Sequence, residues 1–95
     1  MATRRRIARY RLTDHAREER ARRQISEQDV VEVLTAPEQT EIVRKGREVF
    51  QSRRQSGEPP RTYLLRVFVD VDCDPPAVVT VYRTSKVAKY WRIDS

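Results

Sequence analysis

The stretch VVTVYRTSKVAKYW, residues 78–91, opens as an alternating strand and closes on Tyr82, Arg83, Lys86, Lys89, Tyr90 and Trp91. Cations interleaved with aromatics are the side chains that meet phosphates and nucleobases. The stretch therefore reads either as a phosphate or RNA contact surface or as a polar strand with an amphipathic tail packed on the core. Arg66 stands between Leu64 and Phe68, opposite a long apolar row, where a guanidinium can grip a phosphate with two donors. Tyr82 shares its strand face with Thr80, and a phenol there can stack on a base or donate a proton. Lys86, further along, adds a mobile cation. His15 is the only histidine, and histidine is the side chain best suited to proton transfer near neutral pH. Each residue also has a structural counterpart reading. A histidine at a helix start caps or packs, Arg66 is a surface strand residue, Tyr82 is a rim aromatic, and Trp91 lays its ring on the sheet with Tyr90 beside it or facing a base.

These residues must be positioned by a small fold. With 95 residues the chain supports one core, and 38% hydrophobic against 36% charged residues makes that core lean. The net charge of +6 is uneven: residues 1–11 carry five arginines and no acid, whereas residues 24–43 carry five acids and no base. Such patchiness suits attraction of phosphate to one side. No apolar run approaches the roughly 20 residues of a membrane span, so a soluble cytoplasmic protein with no membrane contact is expected. Cys73 is the only cysteine, which leaves no disulfide framework and no Cys/His zinc set. Asp70, Asp72 and Asp74 read as a solvated acidic turn, since the spacing lacks the glycine and glutamate of a calcium loop. No metal and no cofactor is expected.

Periodicity sets the elements. Thr13 followed by Asp14 marks a helix start, and the helix runs to Arg23 with Leu12, Ala16 and Ala21 as nearly its only apolar positions. Ser26 with Asp29 resembles a capping box; Val30, Val31, Val33 and Leu34 form the apolar stripe of a second helix that Pro37 stops. Strands follow at 41–45 and 47–53 around a Lys45-Gly46 turn, at 62–71 with Tyr63, Leu65, Val67, Val69 and Val71 on one face, and at 77–83 with Val79 and Val81 opposite Val78, Thr80 and Tyr82. Residues 86–93 read as a short helical or irregular tail. The expected class is α+β, two N-terminal helices packed on a four-stranded antiparallel sheet. Residues 1–11 form a basic arm and 12–93 a single domain.

Two segments, HAREERARRQISEQDVVEVLTAPEQ and VVTVYRTSKVAKYW, resemble the opening and closing motifs of a family of small bacterial proteins of unknown function grouped with the RelE/ParE/BrnT-like toxins. The residues that carry the likeness are His15-Ala16, Arg23, Ile25-Ser26, the 80–82 strand, Lys86 and Tyr90-Trp91. Gln24 stands where the family usually has glycine, which implies an ordinary helix end instead of a left-handed one. Glu19 stands where a basic residue is common. The resemblance implies a RelE-like fold with an open concave face. It also implies a toxin-like, metal-independent endoribonuclease, with RNA as target and an antitoxin protein as partner. Cleaving RNA without a metal needs a base for the 2′-OH, an acid for the leaving oxygen and cations on the phosphate. His15, Arg66, Tyr82 and Lys86 are the catalytic candidates; Arg23, Arg83, Lys89, Tyr90 and Trp91 are expected to contact RNA. The alternative is a non-catalytic RNA-binding or protein-interaction module of the same fold. Clustering of the four catalytic candidates favours the enzyme, and their scattering favours the module.

Overall fold

The computed structural model of the chain describes residues 6–92, so Arg4, Arg5 and Ile93 lie outside it. The elements run β1 (Arg11–Leu12), α1 (Asp14–Arg22), α2 (Glu27–Thr35), β2 (Gln39–Arg44), β3 (Arg47–Ser56), β4 (Arg61–Asp70), β5 (Ala77–Thr84) and α3 (Val87–Tyr90). The five strands form one sheet in the order β1-β5-β4-β3-β2. Strands β2 to β5 make the expected antiparallel meander, while β1 joins β5 in parallel.

The class is α+β, but the expected four-stranded, RelE-like sheet under a packed pair of helices is overturned. The fifth strand is only two residues long. That is too short for alternation to show, and its Leu12 had been counted into the first helix. The two longer helices also take separate halves of the sheet: α1 lies on β1 and β5, and α2 on β3 and β4. Nor do they open the chain. Ile7 is buried and its N–H donates to the Leu34 carbonyl at 2.8 Å, so residues ahead of β1 already contribute to the core.

One apolar cluster joins Ala16 of α1 and Val30, Val33 and Leu34 of α2 to Phe50, Leu65, Val67, Val69, Val78 and Val81 of the sheet. The odd residues of β4 face the helices as the sequence predicts. In β5 the strict alternation fails, because Val78 and Val81 are both buried on that side. The register shifts between Phe68 and Val69, so Val79 is an extra residue bulging out of the ladder.

Both helix starts are read correctly from the sequence. The Thr13 hydroxyl accepts from the Ala16 N–H at 3.1 Å, and the Ser26 hydroxyl accepts from the Asp29 N–H at 3.0 Å. The end of α1 is not. Gln24 has φ of 55°, in the left-handed region. Its N–H donates to the Ala21 carbonyl and the Ile25 N–H to the Arg20 carbonyl, which closes a Schellman turn and drops Ile25 into the core. The turn requires that conformation whichever residue occupies it. A side chain there costs about 1 to 2 kcal/mol, and glycine returns part of this as unfolded-state entropy. Gln24→Gly should therefore raise stability by about 0.5 to 1 kcal/mol, read as a higher denaturant midpoint.

At the β2–β3 turn Gly46 has φ of 84°, and a Cβ there would lie 3.0 Å from an Asp72 carboxylate oxygen. At the base of that hairpin Arg47 pairs with Asp70 through two hydrogen bonds, which hold the Asp70 carboxyl below its ordinary range. Among the described residues no helix is long and apolar enough to cross a membrane. No group of three or more His, Cys, Asp or Glu among them could hold a metal ion.

Candidate nucleic-acid interface

The sheet face turned away from α1 and α2 carries a row of polar side chains in register across four strands. Gln39 of β2 sits opposite Gln51 of β3, Gln51 opposite Arg66 of β4, and Arg66 opposite Tyr82 of β5. Because cross-strand partners point to the same side, these four side chains meet and join into one chain of hydrogen bonds. The Gln51 amide nitrogen donates to Gln39 Oε1 at 2.8 Å, Arg66 Nε donates to Gln51 Oε1 at 2.9 Å, and Arg66 Nη1 donates to the Tyr82 hydroxyl at 2.7 Å.

Two bulges bring this row into line. The β2–β3 ladder leaves the turn with Arg44 opposite Arg47, and without the shift beside Ile42 it would set Gln39 opposite Ser52. The β4–β5 ladder leaves its turn with Asp70 opposite Ala77, and without the extra Val79 it would set Arg66 opposite Val81. A slip of one residue exchanges the faces of a strand. Each bulge therefore decides whether a polar side chain joins the row or turns into the apolar cluster.

Arg66 is the centre of the row. It is only 8% exposed, yet it makes no ion pair with a carboxylate among the described residues. Aromatic rings take that place: its guanidinium carbon lies 4.3 Å from the Tyr90 ring centroid, 5.2 Å from Phe68 and 5.7 Å from Tyr82. Phe68 and Tyr82 are stacked at 6.0 Å, and Tyr90 meets Tyr82 edge-on at 6.5 Å. A charge buried without its opposite is expensive, and rings with negative faces offset only part of that.

The tail crosses this face. Gln51 also donates to the Tyr90 carbonyl at 3.2 Å, and the Gln39 amide clasps Arg92 twice, donating to its carbonyl at 2.6 Å and accepting from its N–H at 3.1 Å. Arg92 pairs with Glu41, and the Arg53 guanidinium lies 4.1 Å from the Trp91 ring centroid. The Tyr90 hydroxyl is held below the ordinary phenol range, first by a hydrogen bond from Tyr82 and then by Lys89 and Arg66, against the opposing effect of desolvation.

The catalytic candidates divide. Arg66 and Tyr82 touch. Lys86 is exposed at the N-cap of α3, just beyond the end of β5. His15 is exposed on α1, the helix whose Ala16 packs into the opposite layer. The RNA-contact candidates divide as well. Lys89, Tyr90 and Trp91 gather over the row, with Lys89 Nζ 5.3 Å from the Tyr90 ring. The pleat sends Arg83 to the other side of β5, where it stands 5.5 Å from the Tyr63 ring, and Arg23 is paired with Glu19 at 2.8 Å. Gln39, Gln51 and Arg53 belong to the site although nothing in their types drew attention to them.

The matched part of the chain contains the whole row. A family described as a domain of unknown function (DUF4258) matches residues 12–83. The chain belongs to the DUF4258 family. That match takes in Gln39, Gln51, Arg66 and Tyr82 and ends before α3, so Lys86, Tyr90 and Trp91 fall beyond the part shared with DUF4258. Nothing in it links the chain to the RelE/ParE/BrnT-like toxins. No curated protein and no solved structure matches.

Proposed function

We propose that this chain binds single-stranded RNA on the sheet face built around Arg66, as a non-catalytic module. The observation that carries the reading is the buried Arg66 itself, oriented by Gln51 and Tyr82 but without a carboxylate partner among the described residues. A guanidinium held in place from one side and surrounded by rings is prepared for an anion and a flat base. Exposed Lys89 stands 5.3 Å from the Tyr90 ring that lies on it, and the whole chain carries +6. The position of His15 on α1 speaks against the four-residue catalytic set.

A salt titration tests the reading. Affinity for a mixed-sequence oligoribonucleotide should fall linearly on logarithmic axes, with a slope of about −0.7 for each phosphate contacted. A matched oligodeoxyribonucleotide in the same titration measures how far the 2′-OH contributes. Salt-independent binding, or none, removes the proposal.

A toxin-like endoribonuclease with an antitoxin partner is the second reading, and Tyr90 is the observation that favours it. A phenol held below its ordinary range beside Arg66 supplies, as its phenolate, a candidate base for a 2′-OH. Attack of that oxygen on phosphorus, its proton passing to the Tyr90 phenolate, with departure of the 5′-oxygen as a hydroxyl protonated from solvent, would leave a 2′,3′-cyclic phosphate and a 5′-hydroxyl end. RNA that stays intact during the titration retires this reading, and fragments with cyclic ends establish it.

A further inference from the structure

Two arginines on the open face each carry a ring from the same short segment. Arg53 of β3 is opposite Leu64, two residues before Arg66, so the arginines are diagonal neighbours on adjacent strands. Diagonal positions are roughly 7 to 8 Å apart, a span that consecutive nucleotides of an extended strand can bridge. Tyr90 lies on Arg66 and Trp91 on Arg53, at 4.3 and 4.1 Å. Consecutive residues of the tail thus sit on consecutive arginines in the manner of stacked bases.

The segment is held by contacts that can be given up. No residue of α3 is buried. Besides the two ring–arginine contacts, its attachments are Gln39 to both polar backbone groups of Arg92, Gln51 to the Tyr90 carbonyl, the Tyr82 hydroxyl and ring edge to Tyr90, and an exposed Arg92–Glu41 pair. Each of these polar groups finds water when the segment leaves, so none is orphaned. The arginines, by contrast, stay in place: Gln51 and Tyr82 continue to hold Arg66, and Glu38 holds Arg53 through two hydrogen bonds.

We propose that Arg66 and Arg53 are adjacent base-stacking sites for single-stranded RNA, and that the Tyr90-Trp91 segment occupies them as an internal substitute that RNA displaces. This rests on the RNA-binding reading above and reverses the part expected of the two aromatics, which become competitors of the bases. Binding then proceeds from the fraction of molecules with the segment lifted, and weakening the segment's hold raises apparent affinity by enlarging that fraction.

Trp91 is the only tryptophan, so fluorescence excited at the red edge of the absorption band, where tyrosine does not absorb, reports on the segment alone. Titrating the full chain with an oligoribonucleotide should make Trp91 more accessible to acrylamide. Trp91→Ala should bind the same RNA about three- to tenfold more tightly, since it removes one of the two rings holding the segment down. If Trp91 instead stacks on a base, acrylamide quenching falls on binding and Trp91→Ala weakens it. Either result overturns the displacement proposal and leaves RNA binding standing. RNA that binds with no change at Trp91 overturns it too. Failure of both wild type and Trp91→Ala to bind RNA removes the functional reading and this proposal together, and is told apart from the other outcomes by the absence of any complex.

Discussion

Truncating Leu65 to alanine is expected to lower the unfolding free energy by about 2 to 5 kcal/mol, read as a lower denaturant midpoint at unchanged slope. Leu65 is fully buried in the central strand, in the cluster shared by both long helices. Its cross-strand partners are Ser52 and Arg83, a small hydroxyl and a side chain committed to the Tyr63 ring. Neither can swing in to fill the space left by an isobutyl group. Helix α2 above is fixed by Val30, Val33 and Leu34 and α1 by Ala16, so the site relaxes little and the cost falls toward the upper part of the range. For a domain this size the loss is a large fraction of the total stability. Leu12→Ala, at a half-buried position in β1, is the comparison and should cost less. An unchanged midpoint in Leu65→Ala would mean that the odd face of β4 is not the core.

That face was legible in the sequence because β4 is a long strand with an unbroken alternation, and a single pattern of period two determines which residues go inward. The capping residues Thr13 and Ser26 were legible for a similar reason, as each acts on a backbone N–H three positions away. The polar row was not. Placing Gln39 opposite Gln51 and Arg66 opposite Tyr82 requires both bulges, and counting outward from either turn gives a register wrong by one residue. Gln39, Gln51 and Arg53 were accordingly passed over as ordinary strand residues. β1 escaped notice because two residues show no period, and Gln24 because its left-handed backbone is imposed by the Schellman turn and not announced by its side chain. The tail was read as a short helix, which α3 is, yet its place on the open face depends on contacts between side-chain amides and backbone groups 39 and 53 positions away. Periodicity carries no information about such pairings.

Arg66→Met should leave the fold about as stable as the wild type, or more stable, while lowering affinity for single-stranded RNA about 10- to 100-fold. The stability side is a balance of named terms. The substitution strands the Gln51 Oε1 atom, because the Gln51 nitrogen is engaged by Gln39 and Tyr90 and the amide cannot usefully flip; that costs about 1 to 3 kcal/mol. It also forfeits the contacts of the guanidinium with three rings. Against this it removes a charge that is almost wholly desolvated without an opposite charge among the described residues, a burden of several kcal/mol. Methionine moreover fills the same space and makes favourable sulfur contacts with aromatic rings. The binding side has no such balance. Losing the stack of one base and a charge-assisted phosphate contact costs about 1 to 3 kcal/mol, and every 1.4 kcal/mol is tenfold. The salt slope should become shallower by about 0.7, the share of a single phosphate on a single strand. Arg66→Lys separates charge from shape. It keeps the cation and so should retain the salt slope, but it lacks the planar face and the fork that spans Gln51 and Tyr82, and its affinity should stay well below wild type. If Arg66→Met instead unfolds the domain, or binds RNA as wild type does, Arg66 is a structural tie between strands and the interface must be sought elsewhere on the molecule.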